Sequence, residues 1–134
     1  MRVNDKVVVV TGAGSGIGRA MSEKFVAEGA KQVVAVDINA ENAQQTADKL
    51  GCLAMTADVS RDDDIKRIVE DTESDIGPID LFCGNAGVGM GRSEQSPDQE
   101  WQISWDINVM SHVYAARHLV PRMTERGGGY FLNT

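Results

Sequence analysis

The sequence predicts an α/β fold in which a doubly wound parallel sheet carries helices on both faces. Short, continuous apolar runs such as Val7–Val10 and Val33–Val36 are typical of strands that are covered on both sides. Between these runs, apolar residues such as Ile17, Met21 and Phe25 recur at helical spacing. Strands and helices therefore alternate along the chain, which predicts βαβ units with right-handed crossovers.

Glycines and one proline help to place the ends of these elements. Gly29 ends the first helix, and the three glycines at 127–129 end the last helix before the fifth strand. Pro121 falls inside the long fourth helix and is expected to bend it or to remove one hydrogen bond. In chain order we expect a strand at 6–11, a helix at 16–28, a strand at 32–37, a helix at 40–49, a strand at 52–57, a helix at 61–75, a strand at 79–84, a helix at 98–126 and a strand at 129–133.

Size and charge limit the class of protein. The 134 residues suffice for one domain, residues 1–134, with a sizeable core. A net charge of −7, with lysines and arginines scattered, argues against nucleic acid or an anionic membrane as a partner. No apolar run approaches the length of a membrane span and no signal-peptide core is present at the N-terminus, so a cytoplasmic setting is expected.

The two cysteines, Cys52 and Cys83, fall in apolar, strand-like segments. In the expected strand order two other strands separate the third strand from the fourth, which is too far for a disulfide. Neither cysteine has a CxxC partner or a nearby histidine, so both are interpreted as small buried hydrophobes. No metal site is expected.

A glycine-rich loop carries the main functional signal. Thr11–Gly18 reads Thr-Gly-Ala-Gly-Ser-Gly-Ile-Gly, directly after the first strand and at the start of the first helix. Small residues let the main chain approach a pyrophosphate, and the helix N-terminus presents unpaired N–H groups and a positive dipole end to it. Read this way, the predicted cofactor-binding residues of a Rossmann-like fold are Gly12, Ser15, Gly16, Ile17 and Gly18; a plain tight turn is the alternative.

An acid at the end of the second strand completes this signal. Asp37 lies about twenty residues past the loop, where dinucleotide-binding folds place a carboxylate that accepts hydrogen bonds from the adenosine ribose. That carboxylate would repel the additional phosphate of NADP. Neither Ser15 in the loop nor Ile38, the residue after Asp37, supplies a compensating cation. NAD is therefore the favoured cofactor. Asp37 could instead only cap the next helix, although Asn39 is available for that role.

Two further strand ends supply candidate residues. Asp58-Val59 closes the third strand at the same edge as the glycine loop, so Asp58 could reach the adenine amino group. The three acids at 62–64 that follow are interpreted as favourable charges at a helix N-terminus. Asn85-Ala86-Gly87 follows the fourth strand, and its small side chains would let a nicotinamide ribose pack against main chain; an ordinary loop start is the other interpretation.

Polar residues in the long helix allow similar alternatives. Asn108 lies where asparagine is a poor helix former, and a buried side chain there would either pin a neighbouring strand or order water near the chemistry. For His112 and His118, packing at a surface or interface is favoured over a role as a catalytic base.

Taken together, the glycine loop, Asp37, Asp58-Val59, Asn85-Ala86-Gly87 and Asn108-Val109 resemble the N-terminal, cofactor-binding half of the short-chain dehydrogenase/reductase family. The resemblance runs over essentially the whole chain. It implies that the loop binds pyrophosphate, that Asp37 selects NAD, and that Val109 belongs to the cofactor-binding set. Asp58 and Val59 would flank adenine, while residues 85–87 would line the nicotinamide side. It also implies a homo-oligomer, a dimer or tetramer.

The same resemblance makes Asn108 the catalytic asparagine of an Asn-Ser-Tyr-Lys set, where a helix kink holds a water in a proton relay. Gly84 stands where many members carry another asparagine. The sheet is expected to be truncated after the fifth strand, because the family's catalytic serine and Tyr-x-x-x-Lys follow that strand. Neither Tyr114 nor Tyr130 has a lysine four residues later, so these 134 residues alone are expected to show little turnover.

Three functional hypotheses follow. The first is an NAD-dependent oxidoreductase that transfers a hydride between a nicotinamide cofactor and a small-molecule alcohol or carbonyl substrate. The second is a non-enzymatic NAD-binding module. The third is a methyltransferase that uses S-adenosylmethionine, which gives residues 85–87 and Asn108 no evident role.

Overall fold

A computed structural model describes all 134 residues. Five parallel strands form one sheet in the order β3-β2-β1-β4-β5. The elements are β1 (Val7–Thr11), α1 (Gly16–Ala27), β2 (Gln32–Asp37), α2 (Ala40–Leu50), β3 (Leu53–Thr56), α3 (Asp62–Asp75), β4 (Leu81–Gly84), α4 (Asp98–Trp105), a π-helical turn (Asp106–Met110), α5 (Ser111–Glu125) and β5 (Tyr130–Asn133).

The predicted α/β fold and the alternation of elements are confirmed. Half of the predicted ends coincide with the observed ones, and the others differ by one or two residues. The long helix is the main departure. Instead of one continuous helix over 98–126, the π-helical turn separates α4 from α5, so the irregularity precedes Pro121, which lies inside α5. A π-helical turn inserts a residue into the helical repeat and is frequently found at functional sites.

The sheet is covered on both faces, as its apolar strands require. Residues Val7–Thr11 of β1 are all buried, and alternate valines face opposite sides. On one side Val7 and Val9 pack with buried residues of α3 and α5, such as Ile68 and Leu119. On the other side Val8 and Val10 contact the apolar stripe of α1. The strand order and both layers are those of a doubly wound fold.

The strand order keeps the two cysteines apart. Two strands, β2 and β1, separate β3 from β4, and both Cys52 and Cys83 are free thiols. Burial raises the pKa of the Cys83 thiol to about 12, so it stays protonated at neutral pH. The two intervening strands are those on which the expectation of no disulfide rested.

The order also creates a crevice at the carboxyl edge of the sheet. The connection after β1 leads to one face and the connection after β4 leads to the other, and β1 and β4 are neighbours. Ligands of open α/β sheets bind at such a switch point. None of the helices combines the length and the apolar character needed to cross a membrane.

Candidate cofactor site

A cleft of about 540 Å³ opens at this switch point, within the roughly 300–1,000 Å³ typical of small-molecule sites. Twelve of the thirteen predicted cofactor-binding residues line it; Val109 does not. Three lining residues, Ala57, Val88 and Ile107, were not predicted. The lining residues are Gly12, Ser15, Gly16, Ile17, Gly18, Asp37, Ile38, Ala57, Asp58, Val59, Asn85, Ala86, Gly87, Val88 and Ile107.

The glycine loop leaves no room for side chains on its inner side. Gly12 has a φ of 66°, and a Cβ there would lie 2.9 Å from the Ala86 Cα. A Cβ on Gly18 would overlap the carbonyl oxygen of Gly12. The loop after β1 is thereby packed directly against the chain that leaves β4, which is a tertiary requirement and not only a turn preference.

Where the loop faces the cleft, the main chain is bare. Gly16 has a φ of 49°, and no atom lies within 4 Å of the position that a Cβ would take. Ser15 is the N-cap of α1, yet its side chain makes no capping hydrogen bond. The first N–H groups of α1 are therefore left without a side-chain acceptor at the positive end of the helix dipole. Such an end fits the phosphate groups of a dinucleotide.

Asp37 is held by main-chain donors on two sides. Its Oδ2 accepts a hydrogen bond of 2.8 Å from the Gly14 N–H, and its Oδ1 accepts one of 2.9 Å from the Asn39 N–H. Each carboxylate oxygen has further acceptor capacity, and the group borders the cleft. Asn39 is the N-cap of α2, its side chain accepting from the Asn42 N–H at 3.0 Å. Capping is thus performed by Asn39, as the sequence allowed.

Asp58 is fixed by a local network next to the same cleft. Its Oδ1 accepts hydrogen bonds from the Ser60 N–H at 3.0 Å and from the Ser60 hydroxyl at 2.7 Å, while its own N–H donates to the Asp64 Oδ2 at 2.8 Å. That main-chain hydrogen bond is the main reason why the pKa of Asp64 lies below the usual aspartate value. Asp64 therefore supports the end of β3, a role beyond the charge at a helix terminus that the sequence suggested.

The acid at the start of α3 also has a specific partner. Asp62 accepts one hydrogen bond from Arg117 at 3.0 Å and pairs with the His118 Nε2 at 2.9 Å, which links α3 to α5. Burial opposes a lower pKa for Asp62, but His118 and Arg117 together outweigh it and hold the pKa below the usual value. His118 thus pairs with a residue of a neighbouring helix and does not line the cleft.

Thr11 is a residue of the site that the sequence pattern marked only as part of the loop. Its Oγ1 donates to the Cys83 carbonyl oxygen at 3.2 Å and accepts from the N–H groups of Asn85 and Ala86 at 3.0 and 3.1 Å. The Asn85 side chain returns a hydrogen bond of 3.0 Å to the Thr11 carbonyl oxygen. The signal that could have revealed this role is a single hydroxyl at the end of an otherwise all-valine strand.

Asn108 joins the π-helical turn to the chain beyond β4. Its Oδ1 accepts from the Val88 N–H and its Nδ2 donates to the Val88 carbonyl oxygen, each at 2.9 Å. Asn108 is exposed, so the expectation of a buried side chain was wrong. Of the two roles considered, the structure shows the one in which Asn108 fixes a neighbouring segment of the chain. That segment, at Val88, follows β4 and is not part of the strand. Asn108 does not line the cleft itself; it is bonded to Val88, which does, and its Oδ1 lies 3.0 Å from the position that a Cβ on Gly87 would take.

A family model described as short chain dehydrogenase matches residues 6–134. The chain belongs to the short-chain dehydrogenase family. This membership decides against the methyltransferase hypothesis.

Two curated members of the short-chain dehydrogenase family are similar along nearly the whole chain. The 7alpha-hydroxysteroid dehydrogenase of Escherichia coli is 29% identical over 98% of this chain and 53% of its own length. The NAD-dependent glycerol dehydrogenase of Listeria innocua is 33% identical over 98% of this chain and 52% of its own length. The chain thus spans about half the length of the curated relatives it matches.

A solved structure agrees with the fold. The short-chain dehydrogenase/reductase of Burkholderia phymatum in complex with NAD superimposes with a TM-score of 0.93 at 28% identity, covering 99% of this chain and 50% of that one.

One departure from the family pattern has a physical cause in this structure. Gly84, at the end of β4, lies beneath the imidazole of His112, and a Cβ there would be 2.5 Å from the His112 Nδ1 and 2.8 Å from the Asn133 Oδ1. The asparagine that the family resemblance implies at this position would therefore collide with α5. No group of three or more His, Cys, Asp or Glu side chains comes together in a way that could hold a metal ion.

Proposed function

We propose that this protein is an NAD-dependent oxidoreductase that transfers a hydride between the cofactor and a small-molecule alcohol or carbonyl substrate. The observation that carries the proposal is the placement of the uncapped α1 N-terminus and the Asp37 carboxylate in one cleft. Similarity to a glycerol dehydrogenase and a hydroxysteroid dehydrogenase supports an alcohol or its carbonyl as the substrate class. The nicotinamide ring supplies hydride chemistry when bound.

The lining residues divide naturally along the length of a dinucleotide. Main-chain N–H groups at Ser15, Gly16 and Ile17, with the side-chain-free Gly12 and Gly18 beside them, would bind the pyrophosphate. At one end Asp37 and Ile38 would contact the adenosine ribose, and Asp58 and Val59 the adenine. At the other end Asn85, Ala86 and Gly87 would hold the nicotinamide ribose. Val109, which lies outside the cleft lining, would contribute only by supporting this end.

NAD is proposed over NADP on the basis of charge. A ribose 2′-phosphate would be repelled by the Asp37 carboxylate, and Ile38, exposed beside it, carries no charge. No lysine or arginine lines the cleft. The similar Burkholderia phymatum structure is a complex with NAD, which agrees with this choice.

Asn108 is proposed to be the asparagine of the family's Asn-Ser-Tyr-Lys catalytic set, and to maintain the active-site geometry at the nicotinamide end of the cleft. Its two hydrogen bonds fix Val88, the residue that continues the cleft beyond Gly87. These 134 residues contain no Tyr-x-x-x-Lys sequence, so we propose that residues 1–134 on their own bind cofactor with little turnover.

Self-association through the outer face of α4, the π-helical turn and α5 is part of the proposal. Trp101 and Trp105 are each 55% exposed, and Val109 and Val113 continue their apolar row at intervals of four residues. A row of this kind is unusual on a surface that faces only water. Analytical ultracentrifugation is expected to show a dimer or tetramer for the wild type. The same measurement on Trp105→Glu is expected to show that this oligomer has dissociated.

Isothermal titration calorimetry tests the cofactor assignment directly. Titration of the folded protein with NADH is expected to give saturable heat, with a weaker response to NADPH. No heat with excess NADH on soluble, folded protein would contradict the proposal. Hydride transfer by the full-length protein to a panel of ketones then separates the oxidoreductase from a non-enzymatic NAD-binding module, because only the oxidoreductase oxidises NADH.

A further inference from the structure

The main chain at Ala13–Gly14, on the side of the glycine loop away from the cleft, is hydrogen-bonded to side chains from β2, α1 and α2. The Gly14 N–H donates to the Asp37 Oδ2 at the end of β2. The carbonyl oxygen of the same residue accepts a hydrogen bond from the guanidinium of Arg19 in α1. Gly14 is buried, so neither group has an easy alternative partner in water.

Thr46 of α2 completes the arrangement. Its hydroxyl donates to the Ala13 carbonyl oxygen at 3.0 Å and accepts from the Arg19 Nε at 3.0 Å. The Thr46 side chain is 1% exposed, so both of its hydrogen bonds are shielded from solvent. The hydroxyl and the guanidinium therefore hold the carbonyl oxygens of two consecutive residues, Ala13 and Gly14.

The packing at Gly14 leaves the loop little freedom to shift. A Cβ on Gly14 would lie 2.6 Å from the Asp37 Oδ2 and 2.7 Å from the Asn42 Cβ. The peptide thus lies directly against the carboxylate that it orients. Any rotation of the Ala13–Gly14 segment turns the Gly14 N–H away from Asp37 and releases one of the two main-chain donors that fix this side chain.

We propose that Arg19 and Thr46 are positioning residues for Asp37: by holding the Ala13–Gly14 carbonyls, they aim the Gly14 N–H at the carboxylate and so set the cofactor's ribose selectivity. The inference rests on the proposed function, because it assigns the ribose end of the cofactor to Asp37. Neither residue lines the cleft, so the effect on the cofactor is indirect.

A merely structural role would give a different result. If Thr46 and Arg19 only tied α1 to α2, their loss would lower stability and reduce the affinities for NADH and NADPH by the same factor. Loss of Asp37 positioning instead weakens NADH binding selectively. Thr72 in α3 is a matched control, because it too is 1% exposed but its hydroxyl has no hydrogen-bond partner.

The experiment is a double-mutant cycle on the full-length protein, with NADH and NADPH affinities measured by calorimetry. Thr46→Val is expected to raise the NADH dissociation constant about tenfold, the effect of one hydrogen bond to a charged group, and to reduce the preference for NADH over NADPH. In an Asp37→Ala background the same substitution should change the NADH affinity less than about twofold. Thr46→Ser should retain wild-type affinity, and Thr72→Val should leave it unchanged.

Two further measurements keep the inference falsifiable. Arg19→Met removes the hydrogen bonds of the guanidinium to the Thr46 hydroxyl and to the Gly14 carbonyl oxygen, and it serves if Thr46→Val does not fold. Amide hydrogen exchange at Gly14, measured without nucleotide, should accelerate in Thr46→Val and not in Thr72→Val. The inference is wrong, with the proposed function untouched, if Thr46→Val and Arg19→Met both keep the wild-type exchange rate at Gly14 and the wild-type preference for NADH. It is also wrong if Thr46→Val lowers NADH affinity by the same factor in the wild-type and Asp37→Ala backgrounds. Failure of the wild type to bind NADH would overturn the proposed function, and the inference with it.

Discussion

Asn108 and Val88 are joined by a reciprocal pair of hydrogen bonds, each 2.9 Å long, between the asparagine side chain and the valine main chain. The pair connects the π-helical turn to the segment that follows β4, where Val88 continues the cleft lining beyond Gly87. The side chain of Asn108 thus satisfies two main-chain groups outside any regular element, where a strand neighbour would otherwise be needed.

Asn108→Ala is expected to remove both hydrogen bonds and to lower the turnover of the full-length protein more than its affinity for NADH, because only the nicotinamide end of the cleft loses support. The cost in unfolding free energy is expected to be about 1 kcal/mol, since the side chain is solvent-exposed. Steady-state kinetics and urea unfolding measure both effects. Asn4→Ala, which removes one exposed side-chain hydrogen bond to Gly29, is the control. Undiminished turnover in Asn108→Ala would limit Asn108 to packing.

Gly16→Val is expected to abolish NADH binding, because its side chain would enter the open space from which the pyrophosphate approaches the main chain. The substitution also carries backbone strain at a φ of 49°, about 1–2 kcal/mol. Gly51→Val separates the two effects: Gly51 has a φ of 66° and open space around it, but ends α2 away from the cleft. Calorimetry should detect NADH binding by Gly51→Val and none by Gly16→Val. Retained affinity in Gly16→Val would mean that the loop is only a turn.

Asp37→Ala is expected to weaken NADH binding and to relax the discrimination against NADPH, because the variant loses the ribose acceptor and the charge that repels a 2′-phosphate. About tenfold weaker NADH binding corresponds to one hydrogen bond to a charged group. Asp48→Ala, on the exposed side of α2, is the control for a change of net charge. An unchanged ratio of the two affinities would refute the assignment of Asp37 to the ribose.

Asp64 gives the fold a defined acid sensitivity. Its pKa is lowered in the folded state, chiefly by the Asp58 N–H, so its contribution to stability is complete above the ordinary aspartate pKa of about 3.9 and is lost as the pH falls through the lower folded value. Thermal unfolding of Asp64→Ala should show a deficit at pH 7 that shrinks as the pH is lowered below about 4. Asp63→Ala, which removes an exposed carboxylate from the same turn, is the control for the change of net charge. A pH-independent deficit in Asp64→Ala would contradict this account.

Local patterns predicted the strands, the glycine loop and the cleft well, because apolar runs and glycines report directly on burial and close approach. Contacts between residues that are distant in the sequence were harder to predict. The pairing of Asp62 with His118 and the bridge from Thr11 to Asn85 depend on which elements become neighbours, which no local spacing reveals. Periodicity over 98–126 is compatible with a continuous helix and did not predict the π-helical turn; only the family resemblance implied a kink at Asn108.

Gly84 and His112 form the clearest long-range dependence of this kind. Gly84→Ala is expected to destabilise the protein by about 1–3 kcal/mol, because its Cβ would overlap the His112 imidazole and force it or β4 to move. His112→Ala should remove that obstacle, so the double variant Gly84→Ala/His112→Ala should lose less stability than the sum of the single losses. Denaturant unfolding of the four proteins measures the coupling, with Gly89→Ala, which meets no atom within 4 Å, as the control for a glycine substitution. Strictly additive losses would show that α5 does not require a glycine at this point of β4.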